Sequence, residues 1–395
     1  MNTDNLSALA VGIGVVALIA GFGIYFNSPD LNKASSQQQG DAFVPAAVVQ
    51  ENGTITKVQI DKSQFRLAPE LAQISGEINT NSAGPIKLAD LKGKVVLVDF
   101  WTYSCINCIR TIPYLNAWYD KYADKGLVIV GVHTPEFEFE KNYDNVKAAV
   151  DKFGIKYPVV QDNDRGTWNA FSNRYWPHKY LIDDEGYIRY DHIGEGSYAE
   201  TEKIIQSLLA ERAANAGQTI NIDGSISQPD SAQSVEFGKI RTPELYFGYQ
   251  FARAKLGNPE GFRPGTAMNY SISSEDQQAL LPNTIYLSGI WKNNPDSMEL
   301  QGDSGKIVLT YSAKSVNIVA GGKGELHIAE NNGSTSSSSS NSSNNGRGTD
   351  VSDTGQLDVD GQRLYNVAMH DDYGTRTLEI TATGKGFQIY TFTFG

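Results

Sequence analysis

Only two cysteines occur in the 395 residues, and they stand three apart at positions 105 and 108. No other thiol can staple the chain, so structural disulfides beyond this pair are excluded, although exported proteins commonly rely on them. Histidine is sparse too, at five residues. A structural zinc site takes four ligands, and neither a second C-x-x-C nor finger spacing among His133, His178 and His192 is present to complete one. Excess positive charge is missing: 33 Lys and Arg against 45 Asp and Glu leave −12, a balance that repels nucleic acid and anionic lipid. The sequence carries no internal repeat and no peroxidatic cysteine motif with its preceding proline and threonine.

What is present begins with an apolar run. Leu6 to Phe26 is uncharged and matches the roughly 20 residues a helix needs to cross a bilayer core. Tyr25 and Phe26 close it, where interfacial aromatics belong. A cleaved signal peptide would prefer a basic start and a shorter run. Here Asp4 precedes the run and the first basic residue is Lys33. Residues 1–30 are therefore expected to be a single uncleaved transmembrane anchor. Residues 31–64, with SSQQQG, read as a polar linker.

From 65 to 212 strand-like and helix-like segments alternate, the pattern of an α/β layer fold. KVVLVDFW (94–101) reads as a buried strand. After Cys105 a helix carries Ile109, Ile112, Leu115, Tyr119 and Tyr122, and Gly126 stops it. GLVIVGVH, YPVVQD and KYLID read as further strands and NVKAAVDKFG as a helix; Ser197 and Glu200 suggest a capping box before a last helix. Residues 213–240 look like a second linker. From 241 to 395 short alternating runs such as KIVLTYS, SVNIVAG, RLYNVAM and TLEITAT are separated by turn residues, which predicts a β-sandwich. The Ser/Asn-rich tract 331–348 cannot bury a core and reads as a disordered loop between strands.

The chemistry lies in VDFWTYSCINCIRTIPYL, residues 98–115, where a strand runs into a C-x-x-C that opens a helix. The first cysteine then sits at the helix N-terminus, where unpaired amides favour a thiolate. Cys105 is the expected nucleophile, and Cys108, one turn on, is expected to resolve the mixed disulfide.

DFW at 99–101, the C-x-x-C at 105–108 and Pro113 stand in the register of thioredoxins. The segments GKVVLVDFWTYSCINCIRTIPYL, GVHTPEFEFEK, YPVVQDND, YWPHKYLIDDEG and HIGEGSY resemble the extracytoplasmic part of DipZ-type proteins, within the TlpA/ResA-like group, over roughly residues 66–210. The resemblance implies a thioredoxin-like domain and gives residues their roles. Asp99 matches the buried acid that assists proton transfer at the resolving cysteine; burial would raise its pKa. Pro177 matches the family's cis-proline, whose exposed backbone can pair with a substrate strand. Trp176 and His178 flank it, His178 being either a group that tunes the thiolate or meets substrate, or a solvated loop histidine. Trp101 and Tyr103 would wall the site. Glu136 lies in the insertion that the TlpA-like group carries. It is either an acid brought near the cysteines or, the preferred reading, a charge on a surface loop.

Ile-Asn between the cysteines departs from the Gly-Pro of thioredoxin, which leaves redox poise and direction open. The resemblance extends to the last 155 or so residues as a jelly-roll like that of carbohydrate-binding modules. Trp291, Tyr246 and Tyr249 there are read as core or domain-interface aromatics, with glycan stacking as the alternative. The expected activity is a membrane-anchored, extracytoplasmic oxidoreductase with the Cys105–Cys108 disulfide as its redox centre and no other cofactor. It would reduce or isomerise disulfides of exported cysteine-containing proteins, cytochrome c maturation being one client pathway, and a separate membrane protein would supply electrons. Two alternatives stand beside it: an oxidant of the same fold, and a surface- or carbohydrate-binding protein with a vestigial thioredoxin scaffold.

Overall fold

The computed structural model describes residues 60–80, 84–273, 279–332 and 346–395, together with the backbone of a short strand pair at 50–51 and 54–55. The apolar run at 6–26 lies outside the described residues. Among those described, no helix is long and apolar enough to cross a membrane. Residues 46–395 form one compact unit.

Its first part is a six-stranded mixed sheet. The strands are β1 (Gly76–Ile78), β2 (Val95–Trp101), β3 (Leu127–His133), β4 (Val159–Gln161), β5 (His178–Ile182) and β6 (Ile188–Ile193), in the order β1-β4-β3-β2-β5-β6. β3 runs parallel to β2 and β4, whereas β5 is antiparallel to β2 and β6. β2 is buried along its whole length, as a central strand covered on both faces must be. Four helices accompany the sheet: α1 (Ile106–Tyr122), α2 (Tyr143–Lys152), α3 (Gly166–Ala170) and α4 (Tyr198–Asn215). Gly126, at φ 107, turns the chain from the end of α1 into β3, a conformation that suits glycine. Ile204, Ile205, Leu208 and Leu209 of α4 are buried as their spacing predicts. The capping box does not form: Ser197 adopts φ 45 and its side chain caps nothing, whereas an N-cap hydroxyl works from extended backbone.

The second part is all-β. Its strands are β7 (Leu245–Tyr246), β8 (Ala267–Tyr270), β9 (Ile285–Asn293), β10 (Met298–Gly321), β11 (Gly324–Asn332), β12 (Gln356–Val359), β13 (Arg363–Thr383) and β14 (Gln388–Phe394), joined in one eight-stranded sheet. KIVLTYS and SVNIVAG are two halves of one long strand, β10, and RLYNVAM and TLEITAT are likewise halves of β13. The register between them shifts at Ala313/Ser315 and Val316/Asn317, where extra residues bend a strand without ending it. Most of the Ser/Asn-rich tract lies outside the described residues. Trp291 is wholly buried in the core, and Tyr246 is buried with it.

Both expected linkers make tertiary contacts. Lys62 pairs with Asp183 at 2.8 Å and Glu211 at 3.3 Å. Ser227 donates its amide and hydroxyl to Glu202 of α4, while Lys121 of α1 reaches the Ser225 carbonyl. The acidic group Asp183, Asp184 and Glu211 is compensated by Lys62 and Arg189.

Candidate active site

Strand β2 delivers the chain to Cys105 and Cys108, and α1 begins there. Cys105 is the N-cap residue, in extended backbone, and the Cys108 amide donates to its Sγ at 3.3 Å. Both cysteines are free thiols; Cys105 is half-buried and Cys108 buried. Burial first, and then the hydrogen bond to Cys105, push the Cys108 thiol well above its ordinary range. Arg110 forks onto Glu195 with Nε at 2.8 Å and Nη2 at 2.8 Å, tying the first turns of α1 to the loop before α4.

The alternation of β2 sorts its side chains. Val96, Val98 and Phe100 join Tyr180 and Ile182 of β5 in one apolar cluster, so Asp99 and its register partner Lys179 face the other side of the sheet. Asp99 is 2 % exposed, and its Oδ1 has no hydrogen-bond partner among the described residues. Burial pushes its carboxyl up to about 7, opposed by the Lys179 charge. Lys179 is completely buried and donates Nζ to the Gly194 carbonyl at 3.1 Å. Burial lowers it to about 8, against the pull of Asp99, Cys108 and Glu195. Asp99 and Cys108 are thus electrostatic neighbours under the helix start.

Three aromatic groups stack behind the redox loop. His133 meets Trp101 edge-on at 5.2 Å and lies parallel to Tyr103 at 5.7 Å. Thr102 Oγ1 stands 3.3 Å from its Nε2. Burial lowers His133 to about 3, which keeps the ring neutral. Trp101 is wholly buried. Tyr103 reaches outward, and its hydroxyl donates to the Gln362 carbonyl of the second domain at 3.1 Å.

The insertion does bring an acid beside the cysteines, but that acid is Glu140. Ser104 donates to Glu140 Oε1 at 2.5 Å, and the amides of Glu136 and Phe137 donate to Oε2 at 2.6 and 3.0 Å. Burial raises the Glu140 carboxyl against these donors. Glu136 is not a solvated surface charge. It is half-buried against the second domain, where the Tyr246 hydroxyl donates to it at 2.8 Å. Burial, with Glu140 and Glu244 adding to it, pushes Glu136 up to about 8. Phe137 and Phe139 on the same segment pack on Tyr390 at 5.2 and 4.7 Å.

The Trp176–Pro177 peptide bond is cis. Trp176 donates Nε1 to the Thr134 carbonyl at 3.0 Å and packs on Trp168 at 4.3 Å. His178 opens β5 and is buried; its ring bonds Asn173 Oδ1 at 2.7 Å and Asp191 Oδ2 at 2.9 Å. It is therefore not a solvated loop residue. As the register partner of Phe100 it lies on the sheet face opposite Asp99 and Lys179. Lys179 is the partner that motif reading passes over. Its signal, a lysine inside the buried run KYLI, is present in the sequence but needs the β2–β5 register to acquire meaning.

Residues 68–191 match the AhpC/TSA family, and residues 242–395 match the family described as "Thioredoxin like C-terminal domain". The chain is 36% identical over 330 residues to Protein DipZ of Mycobacterium tuberculosis, an alignment covering 83% of this chain and 43% of that protein. It thus spans less than half the length of that relative. It is 30% identical to thiol-disulfide oxidoreductase YkuV of Bacillus subtilis over 145 residues, 37% of this chain and 93% of YkuV. It is 32% identical to thiol-disulfide oxidoreductase ResA of Bacillus thuringiensis over 123 residues, 31% of this chain and 68% of ResA.

Proposed function

Because the chain belongs to the thioredoxin-like thiol–disulfide oxidoreductases, we propose that Cys105 and Cys108 carry its electrons and that it reduces or isomerises disulfides of exported proteins. The observation that carries the reading is the Cys108 amide on Cys105 Sγ, with Asp99 buried behind the pair. That amide fixes the Cys105 sulfur at the start of α1, within reach of Cys108. The Cys105 thiolate attacks one sulfur of the client disulfide, forming a mixed disulfide and releasing the other client sulfur as a thiolate. Cys108 then gives its proton to the Asp99 carboxylate and attacks Cys105 Sγ. The Cys105–Cys108 disulfide forms, and the first client sulfur leaves. The two client thiolates take up protons, one of them from Asp99. Two electrons have passed from the dithiol to the client, so an external reductant must restore the dithiol.

Lys179 keeps Asp99 ionisable despite its burial. Without that cation a buried carboxyl would stay neutral to a higher pH. Glu140, through Ser104, holds the loop that presents Cys105. The apolar run Leu6–Phe26 and the similarity to DipZ support a membrane-anchored, extracytoplasmic position, with a separate membrane protein as electron donor.

The test is thiol trapping of the wild-type chain in redox buffers. A reversible two-cysteine couple near about −270 mV is expected for a reductant. A value near about −120 mV reverses the direction, and no couple at all removes the reading. Cys108→Ser is expected to accumulate the mixed disulfide with client, and Cys105→Ser to form none.

A further inference from the structure

A cavity of about 570 Å³ lies between the redox helix and the second domain, within the range of preformed ligand sites. One wall is the outer face of α1, with Ile106, Ile109 and Pro113. The opposite wall is β13, with the half-buried Leu364 and Met369. Tyr103 and Ile106, which flank Cys105 in the chain, both line it, so the cavity opens beside the loop that carries the cysteines.

The polar groups show what kind of molecule fits. Arg110 is committed to Glu195, and Arg363 to Asp350 at 2.9 Å and Asp360 at 3.1 Å. The arginines are neutralised within the protein, and the exposed Lys152 is the one lining cation without an ion pair among the described residues, so a single uncompensated charge borders the cavity. The remaining polar lining is rich in carboxamides. Asn317 is 2 % exposed; its Oδ1 accepts from Asn366, while its Nδ2 has no partner among the described residues. An unpaired buried donor is costly, a penalty that an incoming carbonyl oxygen would relieve. Apolar surface with carboxamides suits an uncharged extended polypeptide, whose side chains need the former and whose backbone C=O and N–H groups suit the latter.

We propose that this interdomain cavity holds the apolar polypeptide flanking a client disulfide, so that the second domain forms half of the client-binding site. The inference rests on the oxidoreductase reading for its client, but binding can be measured without chemistry. The probe is a cysteine-free ten-residue peptide of alternating leucine and asparagine, capped at both ends, with a central benzophenone side chain. Photocrosslinks to the full wild-type chain are expected within 106–113 and 362–369. Leu364→Glu combined with Met369→Glu is expected to weaken binding at least tenfold, with an unchanged circular dichroism spectrum.

Crosslinks elsewhere, or full affinity in the folded double variant, overturn the proposal. So does an apolar dye that occupies the cavity and is not displaced by the peptide. If the double variant fails to fold, the wild-type crosslink map decides alone. Reduction of a small aromatic disulfide by the wild-type chain separates the two readings. Turnover without peptide binding removes the cavity proposal only, and absence of turnover removes the oxidoreductase reading whatever the peptide does.

Discussion

Replacing Asp99 with asparagine separates what this carboxyl costs the fold from what it gives the chemistry. Its folded value lies near 7 against 3.8 when solvated, with burial as the main cause. A carboxyl whose value is raised on folding holds its proton more tightly in the native state. Stability is therefore whole below about 3.8 and falls as pH rises through about 7. At about 1.4 kcal/mol per unit the loss reaches at most about 4 kcal/mol at pH 8. Because that value already includes the opposing pull of Lys179, asparagine, standing in for the neutral carboxyl, is expected to be up to about 4 kcal/mol more stable than wild type at pH 8 and equal to it near pH 4, by urea unfolding followed with tryptophan fluorescence. The same variant should resolve mixed disulfides about 10²-fold more slowly at pH 7, the low end of what a positioned base supplies. Its rate should lose the rise centred near 7, as read by acid quenching of the mixed disulfide. A variant with wild-type stability at pH 8 and an unchanged pH–rate profile would refute both the burial argument and the proton role.

Two further changes probe the junction of the domains. Glu136→Gln mimics the protonated carboxyl that faces Tyr246. Because burial raises this group from 4.5 to about 8, wild-type stability should decline between those pH values. The glutamine variant should not follow, gaining at most about 5 kcal/mol at pH 8.5 and nothing at pH 4.5 in paired denaturation curves. Tyr103→Phe deletes the hydrogen bond to the Gln362 carbonyl and should cost about 1 kcal/mol, seen as a lower melting temperature with the redox couple retained.

Much of this arrangement is written locally. VVLVDFW, Asp99 apart, has the apolarity of a strand buried on both faces, and the cysteines follow it where the helix starts. What local pattern does not hold is pairing at a distance. Lys179 becomes the partner of Asp99 only through an antiparallel register across some eighty residues, and the same register turns His178 to the far face. In HTPEFEFEK the acids alternate, so strand periodicity treats Glu136 and Glu140 alike. A tight turn over Glu138–Lys141 breaks that alternation and sends them to different neighbours. KIVLTYS and SVNIVAG read as two strands because their apolar alternation is interrupted at Ala313 and Lys314, while their hydrogen bonds continue through a bulge.

The phenyl rings at 137 and 139 belong to the redox half but find their neighbours in the other half. Cut free at the connecting segment, the first half would carry two bare aromatic rings and an unanswered tyrosine hydroxyl within a few residues of its reactive sulfur. Such a fragment would be adhesive where a freestanding thioredoxin is smooth. The surface around Phe137 and Phe139 is thus complete only with the β-rich half in place.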